Sequence, residues 1–327
     1  MDYINYVKQS PMSMSGMGGP VGALNFNSAS VTYYWYGERG LYGGGSQPSD
    51  NYVNNINYVT LATTANAQDF GDLSLDRDSV ASSGADGRGV WGGGCCPRYD
   101  RIDYVTIKST GNATDFGNLP DPNNVAAGCS DATRVVFGGG NLPGGVTDQM
   151  SVVTVANPGN SSDFGNLTQN RYGLGGASNG TRGVWFCGAF PSSPNYSNTL
   201  DYITFSSLGN AVDFGDNSFG VYQTAGTGST GRGLFAGGYS DPLGGPSDHI
   251  DYVTIASTGN TTDFGDLSET RRGPAMNCSE TRATIAGGYN GSTYASIDYV
   301  TIANTGNASD FGDLPTATQV FAGCSGD

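Results

Sequence analysis

Any catalytic chemistry in this chain must draw on a small stock of groups. Its 327 residues include one histidine, His249, and six cysteines beside 29 acidic side chains. General acid–base catalysis most often recruits histidine, and metal centres need clustered His, Cys and carboxylate ligands. Cys95 and Cys96 are adjacent, whereas Cys129, Cys187, Cys278 and Cys324 are dispersed. So few cysteines in a chain of this length do not make a disulfide scaffold, and all are expected to be reduced. The acids are nearly all Asp, with Glu only at Glu38, Glu269 and Glu280. Asp69 and Asp72, with Asp115, Asp163, Asp213, Asp216, Asp263, Asp266, Asp310 and Asp313, flank recurring DFG triplets. Clustered carboxylates suit Ca²⁺, but three ligands within one loop are not evident, and these side chains are expected to cap turns. A kinase carries DFG once, with a Gly-rich loop, a strand lysine and an HRD loop; six copies describe a scaffold. Asn-x-Ser/Thr recurs at Asn112, Asn160, Asn260 and Asn307, always at the same turn, which accounts for it without sugar. No catalytic group, cofactor or metal is therefore expected.

Charge narrows the partners. With 14 basic groups the net charge is −15, and no basic cluster occurs. Nucleic acid and anionic membranes attract Lys and Arg, so neither is expected to bind. The longest apolar runs are a handful of residues, and the start, MDYINYVKQSPMSMSGMGG, has neither a basic n-region nor an apolar h-region. Neither a membrane span nor an export signal is read from it.

The elements that position these groups follow from one period. The DFG phenylalanines are Phe70, Phe116, Phe164, Phe214, Phe264 and Phe311, separated by 46, 48, 50, 50 and 47 residues. Twelve residues before each lies a short β pattern centred on Tyr58, Tyr104, Val152, Tyr202, Tyr252 and Tyr299, as in DYVTI at 103–107. A turn such as STGNATDF (109–116) joins the two, its Gly-Asn supplying positive φ. Eighteen residues after the first five phenylalanines an arginine opens another strand, at Arg88, Arg134, Arg182, Arg232 and Arg282, and a sixth copy starts at Arg39. A small-residue strand, as in AAGCS (126–130), lies between DFG and arginine. With 53 glycines, 19 tyrosines and 13% charged residues, the composition suits short strands and tight turns.

Four strands per unit and six units predict an all-β, six-bladed β-propeller. The chain stops just short of a further arginine strand and begins its regular part with one. The ring is therefore expected to close by a C-terminal strand joining the N-terminal blade, which protects the sheet edges. Blades are expected at about 39–75 plus 318–327, 76–120, 121–168, 169–218, 219–268 and 269–317, after a non-repeat arm at 1–38.

The strand order, with Gly43-Gly44, Gly93-Gly94, Gly139-Gly140, Gly237-Gly238 and Gly287-Gly288 and the repeat tyrosines, resembles the kelch-repeat propellers. Phe stands where kelch repeats usually carry Trp, and Cys187-Gly188 replaces one doublet. The resemblance implies a kelch-type module that binds glycan or protein. Galactose oxidase shares this architecture, but its copper site takes two histidines and here only His249 exists. In composite the repeat, DYVTIASTGNATDFGDL, also resembles repeats of structural proteins of marine tailed bacteriophages. That resemblance implies a non-enzymatic virion protein of tail, fibre or capsid surface, assembled in the host cytoplasm.

Two sets of side chains stand out as sites. Arg39, Arg88, Arg134, Arg182, Arg232 and Arg282 would form a ring of cations, but Asp103, Asp201, Asp251 and Asp298 recur almost as regularly, and structural Asp–Arg pairing is expected. All length variation falls between the arginine and Tyr strands, in one loop per blade on a common face. Tyr99, Phe190, Tyr196, Tyr239, Tyr289 and Tyr294 in these loops are the candidate binding residues, since Tyr among small polar residues suits recognition. Met1, Met12, Met14 and Met17 give the arm an apolar strip suited to docking on other virion proteins. The alternatives are a free binding module and an enzyme with a carboxylate pair in the central channel.

Overall fold

The computed structural model describes residues 36–49, 51–191 and 196–326; the arm's methionines and Tyr33, Tyr34 and Trp35, expected to pack on the ring, lie outside them. Six four-stranded antiparallel sheets form a ring, a six-bladed β-propeller. Blade 2 shows the plan, running outward from Ala81–Ala85 through Arg88–Gly92 and Arg101–Thr106 to Thr114–Asn118. Blade 1 is built from both ends of the ring, as Ala322–Gly326 pairs with Arg39–Gly43 in register from Arg39↔Gly326 to Gly43↔Ala322. Among the described residues no helix is long and apolar enough to cross a membrane.

The innermost strands are small-residue strands because they crowd one another. Ala81–Ala85, Ala127–Ser130, Gly175–Ser178, Ala225–Gly228, Ala275–Cys278 and Ala322–Gly326 each lie against the next around the ring. A Cβ on Gly176 would stand 2.4 Å from the Gly128 carbonyl oxygen, and one on Gly323 2.4 Å from that of Met276. The second strand of each blade is buried after its opening arginine, and these strands bring large side chains to the core, including Tyr42, Trp91, Phe137, Trp185 and Phe235. These rings lie between blades: a Cβ on Gly138 would meet the Trp185 indole at 2.7 Å.

The DFG triplet is a β-bulge. In blade 2 Ile102 faces Gly117 and Asp103 faces Asp115, leaving Phe116 as the extra residue, and the register breaks at the same place in the other blades. The bulge turns the phenylalanine inward, where five of the six meet the repeat tyrosine edge-on, Tyr104 and Phe116 at 5.7 Å between centroids. The glycine that follows takes φ of 143–149° and presses on the next blade's turn. A Cβ on Gly265 would stand 2.5 Å from the Gly306 carbonyl. That turn is docked by its asparagine: Asp266 N–H donates to Asn307 Oδ1 at 3.2 Å, and Asn66, Asn112, Asn160, Asn210 and Asn260 accept equivalent bonds around the ring. The asparagine of the recurring Asn-x-Ser/Thr is thus an inter-blade contact.

The expected pairing of the arginine ring with the repeat aspartates is not what the structure shows. Arg39, Arg88, Arg182, Arg232 and Arg282 lie over the repeat tyrosine of their own blade, 4.4–4.7 Å from guanidinium carbon to centroid. Each donates to a carbonyl of the next blade, at Ile107, Val155, Ile255, Ile302 and Leu61. Arg134, whose blade has Val152 in place of tyrosine, pairs instead with Asp131 at 2.7 Å. The physical reason is register, since the arginine strand faces the tyrosine directly, as in Val90↔Tyr104 beside Arg88↔Thr106. The aspartates pair with a different set. Arg77–Asp103 (2.8 Å), Arg171–Asp201 and Arg271–Asp298 (3.1 Å) are buried ion pairs inside blades 2, 4 and 6. Their guanidinium groups also donate to the Gly93, Cys187 and Gly287 carbonyls.

At one mouth of the channel the backbone closes a circle of hydrogen bonds. Val125 N–H donates to Ser79 O, Gly173 to Val125, Gln223 to Gly173, Gly273 to Gln223, Val320 to Gly273 and Ser79 to Val320, all at 2.7–2.8 Å. Each of these residues has positive φ.

Candidate functional site

The antiparallel order puts the variable loops and the connections between blades on the same face. Eight residues after each DFG phenylalanine, the connection forms a β-bridge to the residue just past the second strand: Ser46↔Gln319, Asp78↔Cys95, Asn124↔Asn141, Tyr172↔Ala189, Tyr222↔Tyr239 and Arg272↔Tyr289. These couples form a rim outside the hydrogen-bond circle. The backbone at the rim is regular, and the side chains differ in every blade.

Over blades 4 to 6 the rim becomes aromatic. Tyr196 and Tyr222 stack with centroids 4.9 Å apart and planes 16° from parallel. Tyr239 meets both edge-on, at 6.1 and 5.9 Å, and Tyr172 meets Tyr222 at 6.2 Å. The Arg272 guanidinium lies 5.3 Å from the Tyr289 centroid and 5.9 Å from that of Tyr239, and donates to the Tyr222 hydroxyl at 3.2 Å. All six side chains are half-buried. Burial pushes the Tyr196 hydroxyl up to about 12, with Asp241 and the neighbouring tyrosines adding to the shift. Burial also raises Tyr172. Tyr172 and Tyr196 therefore stay neutral phenols, and the patch as a whole presents hydroxyls, flat apolar ring surface and one guanidinium.

Of the expected loop residues, Tyr196, Tyr239 and Tyr289 come together here. Tyr294 packs on the buried Arg271 guanidinium at 5.4 Å, and its backbone carbonyl accepts from Thr318 N–H at 3.0 Å, so it supports a blade. Tyr99 lies in the blade 2 loop, its carbonyl accepting from Asn123 N–H at 3.0 Å, and Phe190 is half-buried beside the bridged Ala189. Tyr172, Tyr222 and Arg272 escaped the sequence reading because they sit in a segment of constant length. The signal was their column, which reads Asp78, Asn124, Tyr172, Tyr222, Arg272 and Gln319 in an otherwise repetitive chain.

The channel offers different chemistry. A cavity of about 80 Å³ is lined by Val80, Ala81, Ser82 and their counterparts in the other blades, and one of about 30 Å³ by Ser82, Ser83, Gly84 and theirs, neither with a carboxylate. The carboxylate pair required by a channel enzyme is thus not among its described lining residues. Cys129, Cys278 and Cys324 are buried in the inner strands, where burial pushes their thiols up. The expectation that all six cysteines are reduced fails at one place. Cys95 and Cys96 are joined by a disulfide, their Cα atoms 3.2 Å apart. They share one turn of the rim, where neighbouring sulphurs meet without a partner strand. No family model matches the chain, and no curated protein matches its sequence.

Proposed function

We propose that this chain is a non-catalytic recognition propeller that binds a protein or glycan through the aromatic rim over blades 4 to 6. The observation that carries it is the joining of Tyr172, Tyr196, Tyr222, Tyr239 and Tyr289 around Arg272 on the face where loop length varies. Tyrosine adds rigid contact area at small entropic cost, and Tyr and Arg dominate binding hot spots. The propeller fold is consistent with a protein-binding module. The wording of the repeat supports the finer reading, a kelch-like structural protein of a bacteriophage particle that presents this rim to a host surface.

Titration of tyrosine fluorescence with arrayed glycans and with surface extracts of the host tests recognition. Tyr239→Ala and Arg272→Ala should each weaken the interaction at least tenfold, whereas Tyr294→Phe should leave it unchanged. Equal binding by all three variants would remove the patch from the reading. Quantitative mass spectrometry of purified particles tests the virion role, which predicts a fixed ratio of this chain to the major capsid protein.

A further inference from the structure

The rim couple of blade 2 carries a different chemistry. Asp78 and Cys95 are held by reciprocal backbone hydrogen bonds, 2.9 Å from Asp78 N–H to Cys95 O and 2.8 Å in return, and Cys96 follows at once. A carboxylate oxygen of Asp78 and the two sulphurs lie within 4.8 Å of one another. Asp78 and Cys95 are half-buried and Cys96 is exposed, so solvent reaches the sulphurs. The remaining four cysteines are buried. A soluble reagent or ion therefore has one cysteine pair to meet on this molecule.

A disulfide sulphur is a poor ligand, whereas a thiolate binds Zn²⁺ and softer cations at about 2.3 Å and a carboxylate binds Zn²⁺ at roughly 2.0–2.2 Å. Donors around one tetrahedral ion stand about 3.3–3.8 Å apart, and the ligand atoms of this trio lie within 4.8 Å of one another. We propose that Asp78, Cys95 and Cys96 form a redox-gated site for a thiophilic divalent cation, closed while the disulfide stands and opened by a thiol or phosphine reductant. With a thiol, two equivalents supply two electrons and two protons and leave as their own disulfide. A phosphine supplies the two electrons, water supplies both protons and the oxygen, and the phosphine leaves as its oxide. In either case the S–S bond breaks and both cysteines become thiols. Cation binding then releases the two thiol protons, Asp78 supplies the third ligand, and water takes the fourth position, as in open zinc sites. The backbone bridge between Asp78 and Cys95 sets the carboxylate beside the sulphurs. The site lies in blade 2 and stands independently of the aromatic patch.

The test uses Cd²⁺ as probe, because its thiolate complexes absorb in the ultraviolet. The oxidised chain should give no thiolate-to-Cd²⁺ absorption. After treatment with a phosphine and removal of the reagent, the folded chain should bind one Cd²⁺ with that absorption, and a large excess of Zn²⁺ should displace it. Asp78→Asn should weaken binding about tenfold and leave the absorption in place. Cys95→Ser with Cys96→Ser should abolish it, with near-ultraviolet circular dichroism confirming the fold. Absence of the band in the reduced wild type overturns the site, as does its survival in the double variant. Equal affinity before and after reduction overturns the gate.

Discussion

In blades 2, 4 and 6 a buried aspartate meets a buried arginine, and in blades 1 and 3 both have been replaced together, by Asn57 with Thr318 and by Ser151 with Asn123. Blade 5 keeps Asp251 but has Val221 where the sister blades have arginine. Burial, opposed by His249 and aided by Asp263, pushes the Asp251 carboxyl up to about 6. A raised carboxyl means the folded chain holds this proton more tightly than the unfolded chain does. Its contribution to stability is therefore complete below about pH 4, declines as pH rises to about 6, and is flat above. Asp251→Asn should remove this slope and stabilise the protein at pH 8 by on the order of 2 kcal/mol relative to wild type, with little change at pH 4. Urea unfolding at the two pH values measures it, and an equal shift at both would show that Asp251 does not titrate in this window. A second residue-scale cost lies in the hydrogen-bond circle, where Val125 holds φ of 52°. A β-branched side chain is disfavoured there by about 1–2 kcal/mol, more than glycine costs in the unfolded chain. Val125→Gly should raise the unfolding midpoint, and a lower midpoint would mean the side chain's packing outweighs its conformation.

At the scale of elements, five of the six blades are tied to the next by an arginine that lies on its own tyrosine and reaches a neighbour's carbonyl. Arg282 lies 4.4 Å from the Tyr299 centroid and donates to Leu61 O at 2.9 Å, joining blade 6 to blade 1. Arg134 makes a partly exposed pair with Asp131 within its own blade. Substitution by methionine keeps the aliphatic stem and removes charge and donors. Arg282→Met should therefore cost about 1–3 kcal/mol, and Arg134→Met about 1 kcal/mol or less. Thermal unfolding of the two variants ranks them, and the reverse order would deny the arginine a role between blades. The sequence revealed these elements because bulge, hairpin and turn fix the Tyr-to-Phe interval at twelve residues in all six units. Strand order, the glycine doublets and the closing strand were legible for the same reason, since insertions there would break the packing. The partner of each arginine was not legible, because it depends on which side chains face each other across a strand pair and on contact with a separate blade. Tyr172 and Tyr222 were hidden similarly: Tyr222 reaches Tyr196 and Tyr239 only once the ring brings the connection against both loops. The Cys95–Cys96 bond leaves no mark in spacing that distinguishes it from two thiols.

For the molecule as a whole, closing the circle is the step on which the other contacts depend. The junction of blade 6 with blade 1 repeats the asparagine and arginine contacts of the other interfaces, and adds two buried bonds, Tyr42 Oη donating to Thr284 Oγ1 at 2.8 Å and Asn277 Nδ2 to Leu41 O at 3.1 Å. Burial pushes the Tyr42 hydroxyl up to about 12, so it stays protonated and continues to donate. The strand Ala322–Gly326 stands at the centre of this junction, paired to Arg39–Gly43 and packed against Ala275–Cys278. Just before it, Val320 is both donor and acceptor in the hydrogen-bond circle. A side chain on Gly323 would place its Cβ 2.4 Å from the Met276 carbonyl oxygen, which is backbone in a closed ring and cannot withdraw, and 2.9 Å from Asn277 Oδ1. Gly323→Val should therefore push the closing strand out of the ring and cost more than about 3 kcal/mol, within the range of large core disruptions. The change should be felt beyond blade 1, because opening one strand removes two of the six bonds in the circle and exposes the Leu41 and Tyr42 side chains. Amide exchange should speed at Ser79 and Val320 together, the two N–H groups whose bonds run through Val320. Gly231, where an added Cβ would meet nothing within 4 Å, provides the control, and Gly231→Val should leave exchange in the circle unchanged. Fast exchange confined to Val320, with Ser79 still protected, would mean that the blades hold their places without the clasp.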